Sequence, residues 1–197
     1  MIGIFRAAVQ GMLSSRNWID VIGGNISNVN TPGYKTTRAE FQDLLYRQLP
    51  DTQNGPGPVL QVGSGSDLVA TQRLFVQGTL DASNSPTDLA IFGDGFFPVD
   101  MPDGTTAYTR NGNFHVDTDG SLVTPSGQRL AAPVAIPPGY DSLEVSTTGE
   151  VRVKIEGEAD SVLVGQIPLA RFANISGLET IGDNMWRPSP NSGPAQT

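Results

Sequence analysis

The sequence predicts a mainly β protein with an N-terminal amphipathic α-helix, an extended connector and an antiparallel β-domain. Three observations carry that reading. Apolar residues near the N-terminus recur every seven positions, at Phe5, Met12, Ile19 and Ile26, the stripe of a helix. From Val59 the pattern changes to short alternating or apolar runs bounded by Gly, Pro, Asn and Asp, as strands are. Charge divides near the same place. The first fifty residues set Arg6, Arg16, Lys35, Arg38 and Arg47 against Asp20, Glu40 and Asp43, a net of +2, which leaves −10 for the rest of a chain whose total is −8.

The helix comes first. Ala8, Ser15, Ile22 and Val29 form a second series three residues behind the first, while Arg6, Gln10, Asn17 and Asp20 fall off the seam. Gly23-Gly24 lies inside the run and weakens an isolated helix by about 1 kcal/mol per Gly relative to Ala; small residues also let another backbone come close. The helix should stop near Asn30, because Pro32 pushes Thr31 toward extended geometry and Gly33 completes a turn signal. Nothing within residues 1–30 offers this seam a partner. It is either a core helix lying on the domain that follows or an assembly helix, exposed in the monomer and buried against other chains. The interface candidates are Phe5, Met12, Ile19, Ile22, Ile26 and Val29. Arg6, Gln10, Arg16, Asn17 and Asp20 interrupt the apolar stretch a secretory signal peptide needs, and two Arg with one Asp do not make the basic face of a membrane-surface helix.

Residues 1–35 thus form the helix and the turn after it, 36–69 an extended connector, 70–187 the β-domain and 188–197 a Pro/Gly tail. Within the connector, the segment from Pro50 to Pro58 is expected to be mobile. Candidate strands in the β-domain are Leu68–Phe75, Asp88–Phe92, Phe96–Asp100, Ala107–Arg110, Asn113–Asp117, Ser121–Thr124, Ser142–Ser146, Val151–Ile155 and Val162–Phe172. Asp103-Gly104 and Asp119-Gly120 supply dipeptides for tight hairpins, with Thr148-Gly149 a weaker third. Val151, Val153 and Ile155 alternate with Arg152, Lys154 and Glu156, a half-buried strand.

Composition narrows the chemistry. The chain has 197 residues, no Cys and one His, so it holds no disulfide framework, thiolate nucleophile or multi-His metal site. No apolar run approaches the roughly 20 residues of a membrane-spanning helix, and the acidic balance argues against phosphate-backbone binding. Asp117-Thr118-Asp119-Gly120 invites a calcium reading, but with Gly120 at the sixth position the first and twelfth ligands would be His115 and Ser126, where the loop needs Asp and Glu. His115 stands between Phe114 and Val116 and should point opposite to them, outward, and no nucleophile elbow precedes it. Gly63-Ser64-Gly65 and Gly93-Asp94-Gly95 lack the third glycine and helix of a phosphate cradle. The residues point to no enzyme and no cofactor.

At the end of the helix stands Asn25-Ile26-Ser27-Asn28-Val29-Asn30-Thr31-Pro32-Gly33-Tyr34-Lys35. This stretch resembles the N-terminal signature of the flagellar axial proteins, the rod and hook family. The likeness continues through Phe41-Gln42-Asp43-Leu44-Leu45-Tyr46, Leu60-Gln61-Val62-Gly63-Ser64-Gly65, Gln77-Gly78-Thr79-Leu80, Gly93-Asp94-Gly95-Phe96-Phe97, Thr109-Arg110-Asn111-Gly112-Asn113-Phe114 and Gly165-Gln166-Ile167-Pro168-Leu169-Ala170-Arg171-Phe172. The segment from Tyr46 to Gly65 is most like the distal rod members. The resemblance implies a structural subunit with no catalytic role, many copies arranged helically, and N-terminal helices packed as an inner tube around a secretion channel. Its implied partners are itself, other rod and hook proteins and the rings around the rod, with no nucleic acid and no membrane insertion. It also implies a place in the periplasm-spanning rod, reached by type III export without a cleavable signal. Asn25, Asn28, Asn30, Thr31, Pro32 and Gly33 of the signature, followed by Tyr34 and Lys35, would cap the helix and fix its exit. Family members end in a second heptad helix, whereas this sequence closes on Gly193-Pro194-Ala195-Gln196-Thr197. The expectation is therefore a fragment truncated at Thr197 or a partner helix supplied otherwise. A second reading, of a different class, is a β-rich cell-wall glycan-binding module with a helical anchor. It would require an exposed aromatic platform drawn from Tyr108, Phe114, Tyr140 and Trp186.

Overall fold

In the computed structural model, residues 2–48, 61–155 and 160–196 are described. They fall into two units, Met1–Asn30 with Lys35–Leu74, and Thr31–Tyr34 with Phe75–Thr197. The segment from Pro50 to Pro58 lies outside the described residues.

The first unit is built on helix α1, Ile2–Ser27. It ends three residues short of Asn30, and the chain leaves it through turns ahead of Pro32. The stretch read as a connector is not merely extended. It carries strand β1, Thr37–Asp43, and the short β2, Arg47–Gln48, and β3, Gln61–Val62. Strand β4, Ser66–Arg73, overlaps the expected Leu68–Phe75 and pairs antiparallel with β1 over its whole length, with a bulge between Glu40 and Phe41. Strands β2 and β3 pair with each other as a separate two-stranded sheet. The β1 segment carries Arg38, Glu40, Gln42 and Asp43 around a single large apolar residue, Phe41, so periodicity gives no strand signal there.

The second unit holds two antiparallel sheets. Strands β5 (Phe97–Asp100), β6 (Thr106–Thr109), β7 (His115–Val116), β8 (Leu122–Val123) and β9 (Arg129–Leu130) join β13 (Glu179–Gly182) and β14 (Met185–Arg187) in the order β13-β14-β6-β5-β9-β8-β7. Strands β10 (Tyr140–Val145), β11 (Glu150–Ile155) and β12 (Val162–Gln166) form a three-stranded sheet with β11 at its centre. All three glycine turns read from the sequence close hairpins: Asp103-Gly104 joins β5 to β6, Asp119-Gly120 joins β7 to β8, and Thr148-Gly149 joins β10 to β11. Gly120 shows why the dipeptide is needed. Its φ is +76°, and a Cβ there would stand 2.2 Å from the Ile136 carbonyl oxygen, which is drawn in because the Ile136 N–H donates to Gly120 O at 2.8 Å.

The main core gathers Phe97, Val99 and Leu130 from the larger sheet with Leu143, Val151 and Val153 from the smaller one, around Phe114 and Ile136. A second cluster joins Phe96, Tyr108, Ala170, Phe172 and Trp186. Side chains alternate across a strand, so the adjacent pairs Phe96-Phe97, Ala107-Tyr108 and Met185-Trp186 each send one residue to either cluster. The larger sheet is covered on both faces at its centre. The second cluster is aromatic, with Phe96 edge-on to Phe75, Phe172 and Trp186 at 5.6–5.7 Å between centroids, a favourable geometry for paired rings.

Two expected strands are corrected. Asp88–Phe92 forms only an isolated bridge, Asp88 to Asn113, with the Leu89 N–H donating to Gly112 O at 2.8 Å; beyond it Gln77 takes over the backbone, its Nε2 donating to Ile91 O at 3.2 Å and its Oε1 accepting from the Gly93 N–H at 3.4 Å. Val162–Phe172 is not one strand. Strand β12 stops at Gln166, Pro168 follows with no N–H to continue a ladder, and the chain then bridges Ala170 to Phe96 beside the larger sheet. Strands β9, β13 and β14 carry no sequence pattern long enough to announce them. The Pro/Gly tail is seated as well, with Ser192 buried and Gln196 exchanging two hydrogen bonds with Arg171 at 2.7 and 2.9 Å.

Candidate functional site

Helix α1 is packed by its polar face. Ala7, Gln10, Gly11, Ser14, Asn17, Val21 and Asn25 are its buried or half-buried positions among those described, and their spacing of three and four residues puts them on one side. That side lies on the β1–β4 ribbon. Ser14 Oγ donates to Ser66 O at 2.6 Å. The Asn25 amide pairs with the Thr37 backbone in both directions, Nδ2 donating to Thr37 O at 2.8 Å and Oδ1 accepting from the Thr37 N–H at 2.9 Å. Opposite Gln10, the Gly65 α-carbon comes so close that a side chain there would meet Gln10 Cβ at 3.3 Å.

The seam predicted from the heptads therefore faces away from the ribbon. Phe5 is 69% exposed, Met12 65%, Ile19 64%, Ile26 66% and Val29 75%, with Ile22 lower at 38%. Val9, Leu13 and Trp18 are exposed as well, widening the apolar face beyond what a strict seven-residue count finds. A straight α-helix drifts about 20° per heptad, which is how flanking positions come to share the face. Gly23 and Gly24 have open space where a side chain would be, and their carbonyls accept from Ser27 Oγ and Asn28 Nδ2, each at 2.9 Å. The Asn28 side chain thus serves one of the last four carbonyls, which the end of a helix leaves without intrahelical partners, and Ser27 bonds back one turn to a carbonyl inside the helix. Asn25 is engaged with Thr37 instead, and Asn30 is exposed.

Thr31, Pro32, Gly33 and Tyr34 form a turn that belongs to the second unit. The Tyr34 N–H donates to Thr31 O at 3.2 Å, and Gly33 has a φ of +73°. Its α-carbon lies flat on the backbone of the Arg110-Asn111 loop, where a Cβ would come 2.7 Å from Asn111 N and 2.9 Å from the Arg110 carbonyl carbon. Asn184 Nδ2, from the β13–β14 turn, donates to Pro32 O at 3.2 Å. Lys35 is buried, and its carbonyl accepts from Arg73 Nη1 at 3.3 Å within the first unit.

The residues weighed for chemistry resolve into structural roles. His115 is exposed on the edge strand β7. Asp117 and Asp119 flank a turn and both pair with Arg129, at 3.4 and 2.5 Å; the hydrogen bond and charge of Asp119 raise the Arg129 pKa. Asp103 is held below the usual carboxylate range by hydrogen bonds from Thr105, the turn of the β5–β6 hairpin. Tyr108, Phe114 and Trp186 are buried and Tyr140 is half-buried, so the aromatic platform of a glycan-binding module is not there: these rings fill the core. Burial raises the Tyr108 pKa and lowers that of Arg110, whose guanidinium donates from Nε to Gly95 O at 3.0 Å and stacks 5.0 Å from the centre of the Phe96 ring. Among the described residues no group of His, Cys, Asp and Glu is placed to hold a metal ion, and no helix is long and apolar enough to cross a membrane.

Residues 5–35, the helix and its terminal signature, match the family model of the flagella basal body rod protein, and residues 90–153 match that of the flagellar hook protein FlgE/F/G D1 domain. Similar proteins follow the chain along most of its length. The flagellar basal-body rod protein FlgG of Borreliella burgdorferi is 42% identical over 194 residues, 94% of this chain and 73% of that protein. FlgG of Caulobacter vibrioides is 41% identical over 197 residues, 96% of this chain and 75% of the relative. FlgG of Buchnera aphidicola subsp. Schizaphis graminum is 39% identical over 183 residues, 89% and 70% of the two chains.

Proposed function

The chain belongs to the flagellar basal-body rod protein family, and from that premise we propose that it is a structural, non-enzymatic subunit of the distal rod that polymerises helically through α1. The observation that carries this reading is the orientation of the helix. Its polar face is engaged with the β1–β4 ribbon, and its apolar face, four of whose seam residues are more than 60% exposed, is left for other chains. A soluble monomer gains nothing from such a face. A polymer does: burying each of Phe5, Met12, Ile19, Ile22, Ile26 and Val29 contributes about 1.5–3 kcal/mol, reduced by the cost of ordering the partners. A head-to-tail contact that does not close on itself propagates these burials into a filament.

In this reading the helices line the inside of a tube, the β-domains stand outside, and the contacts are with further copies, other rod and hook proteins and the rings around the rod. The subunit reaches the periplasm-spanning part of the basal body by type III export without a cleavable signal. The test is the double substitution Ile19→Asp plus Ile26→Asp in the gene of the source bacterium. Flagella should be lost while the purified variant keeps the β-sheet signal and melting temperature of the parent. Normal flagellation in that strain would refute assembly through the seam.

A further inference from the structure

The signature turn has a receptor of its own. We propose that the Arg110-Asn111 backbone and the Asn184 side chain form a binding seat for a Pro-Gly β-turn, occupied in this chain by its own Thr31–Tyr34, and that Pro32 and Gly33 are required by this seat. Helix termination alone does not account for them. After a helix, any residue tolerant of a left-handed conformation serves, and Asn does so commonly. Here the restriction is tighter. A side chain at position 33 would run into Asn111 N at 2.7 Å and into Arg110 C and Asn111 Cα at 2.9 Å. All three are backbone atoms, which cannot swing aside as a side chain can. Pro32 suits the second position of a turn, where its fixed φ is already correct, and its carbonyl takes the Asn184 amide at 3.2 Å.

The seat is a built structure. Its two walls come from separate strand connections, β6–β7 and β13–β14, and Thr109 ties them together. The Thr109 side chain, 1% exposed, donates from Oγ1 to Asn184 O at 2.9 Å and accepts from the Asn111 N–H at 3.0 Å. Asn111 Oδ1 in turn accepts from the Asn113 N–H at 3.1 Å. On the other wall, Asp183 and Asn184 both hold positive φ, 50° and 55°, a pairing that non-glycine residues adopt at some cost. That conformation delivers the Asn184 amide to Pro32. On the first wall, Arg110 is fixed by Gly95 and Phe96. The ligand class that fits is a peptide turn with Pro second and Gly third, an exposed carbonyl on the Pro and nothing projecting from the Gly.

Two substitutions in the full chain test the seat, with amide hydrogen exchange read residue by residue. Gly33→Asn keeps a residue that accepts positive φ but adds the Cβ. Asn184→Gly keeps the β13–β14 turn and its bond to Thr109 while removing the amide donor, and it adds no bulk. Each should speed exchange of the Tyr34 and Asn111 amides, by about tenfold for Gly33→Asn and by several-fold for Asn184→Gly, with the Val99 and Val151 amides in the core exchanging as in the parent. Combining them should add nothing, because an unseated turn has no further bond to Asn184 to lose. Parental exchange at Tyr34 in either single variant would overturn the proposal, and so would effects of the two substitutions that multiply independently.

Discussion

Truncating the apolar side of α1 should cost the folded monomer less than truncating its polar side. The comparison is Ile19→Ala against Asn25→Ala. Ile19 is 64% exposed, so about a third of its side chain is sheltered; of the roughly 1.5–3 kcal/mol for full burial, at most about 1 kcal/mol is at stake. Alanine returns several tenths of that through its better helix propensity, which leaves a net loss close to zero. Asn25 makes two hydrogen bonds to Thr37, at 2.8 and 2.9 Å. Removing it strands a part-buried N–H and a part-buried carbonyl, each worth on the order of 1 kcal/mol when its partner is lost, so the helix should be held on the ribbon more weakly by about 2 kcal/mol. The assay is amide exchange in β1 and β4 with urea unfolding followed by far-ultraviolet circular dichroism. Exchange at Thr37 and along the ribbon should rise by more than tenfold in Asn25→Ala and stay within about twofold in Ile19→Ala. The reverse order would show that the seam is packed in the monomer and refute an apolar face exposed on α1.

The β-domain offers two sharper perturbations. Trp186→Ala removes a side chain that is 1% exposed and edge-on to Phe75 and Phe96 at 5.5 and 5.6 Å; a loss of about 3–5 kcal/mol is expected, read as a fall in the midpoint of urea unfolding with the near-ultraviolet signal of the domain. Gly120→Ala places a methyl 2.2 Å from the Ile136 carbonyl oxygen at a φ of +76°, so it should destabilise by more than the ~1 kcal/mol of an ordinary Gly-to-Ala strain, and a melting temperature equal to the parent's would rule that contact out.

Much of this was legible in the residues because the physics that shapes each element is local. The heptads name α1, and the Asp-Gly and Thr-Gly dipeptides name the hairpins that close β5–β6, β7–β8 and β10–β11. What stayed hidden is set by contacts distant in sequence. Strand β1 pairs with β4 about thirty residues away, and neither presents a clean alternation because one side rests on a polar helix face. Strands β9, β13 and β14 are only two to four residues long, too short for any period to register. The segment 88–92 reads as a strand from its apolar content, yet its pairing with the chain near Gly112-Asn113 stops after Leu89, and the Ile91 carbonyl accepts from the side chain of Gln77 instead. The pairs Phe96-Phe97 and Met185-Trp186 were the overlooked signal: two adjacent bulky residues contradict a one-sided strand and mark a sheet covered on both faces.

The helix shows most clearly what a hydrophobic period reports. Periodicity records that a face is buried at some stage of the protein's life, and is silent about which molecule buries it. In α1 the face that holds the helix to its own chain is made mostly of polar and small residues, Gln10, Ser14, Asn17 and Asn25 with Ala7 and Gly11, and Val21 is its one large apolar member. Hydrogen bonds to the ribbon backbone replace apolar burial there, and they do so without consuming the seam. This division is what an assembling subunit needs. If the seam also held the monomer together, every intersubunit contact would have to break an intrachain one first, and the free energy of polymerisation would shrink by the same amount. In the proposed assembly the two roles fall on opposite faces: the helix is held in register by Asn25 and Ser14 while Phe5, Met12, Ile19 and Ile26 keep most of their burial energy for the contact between chains.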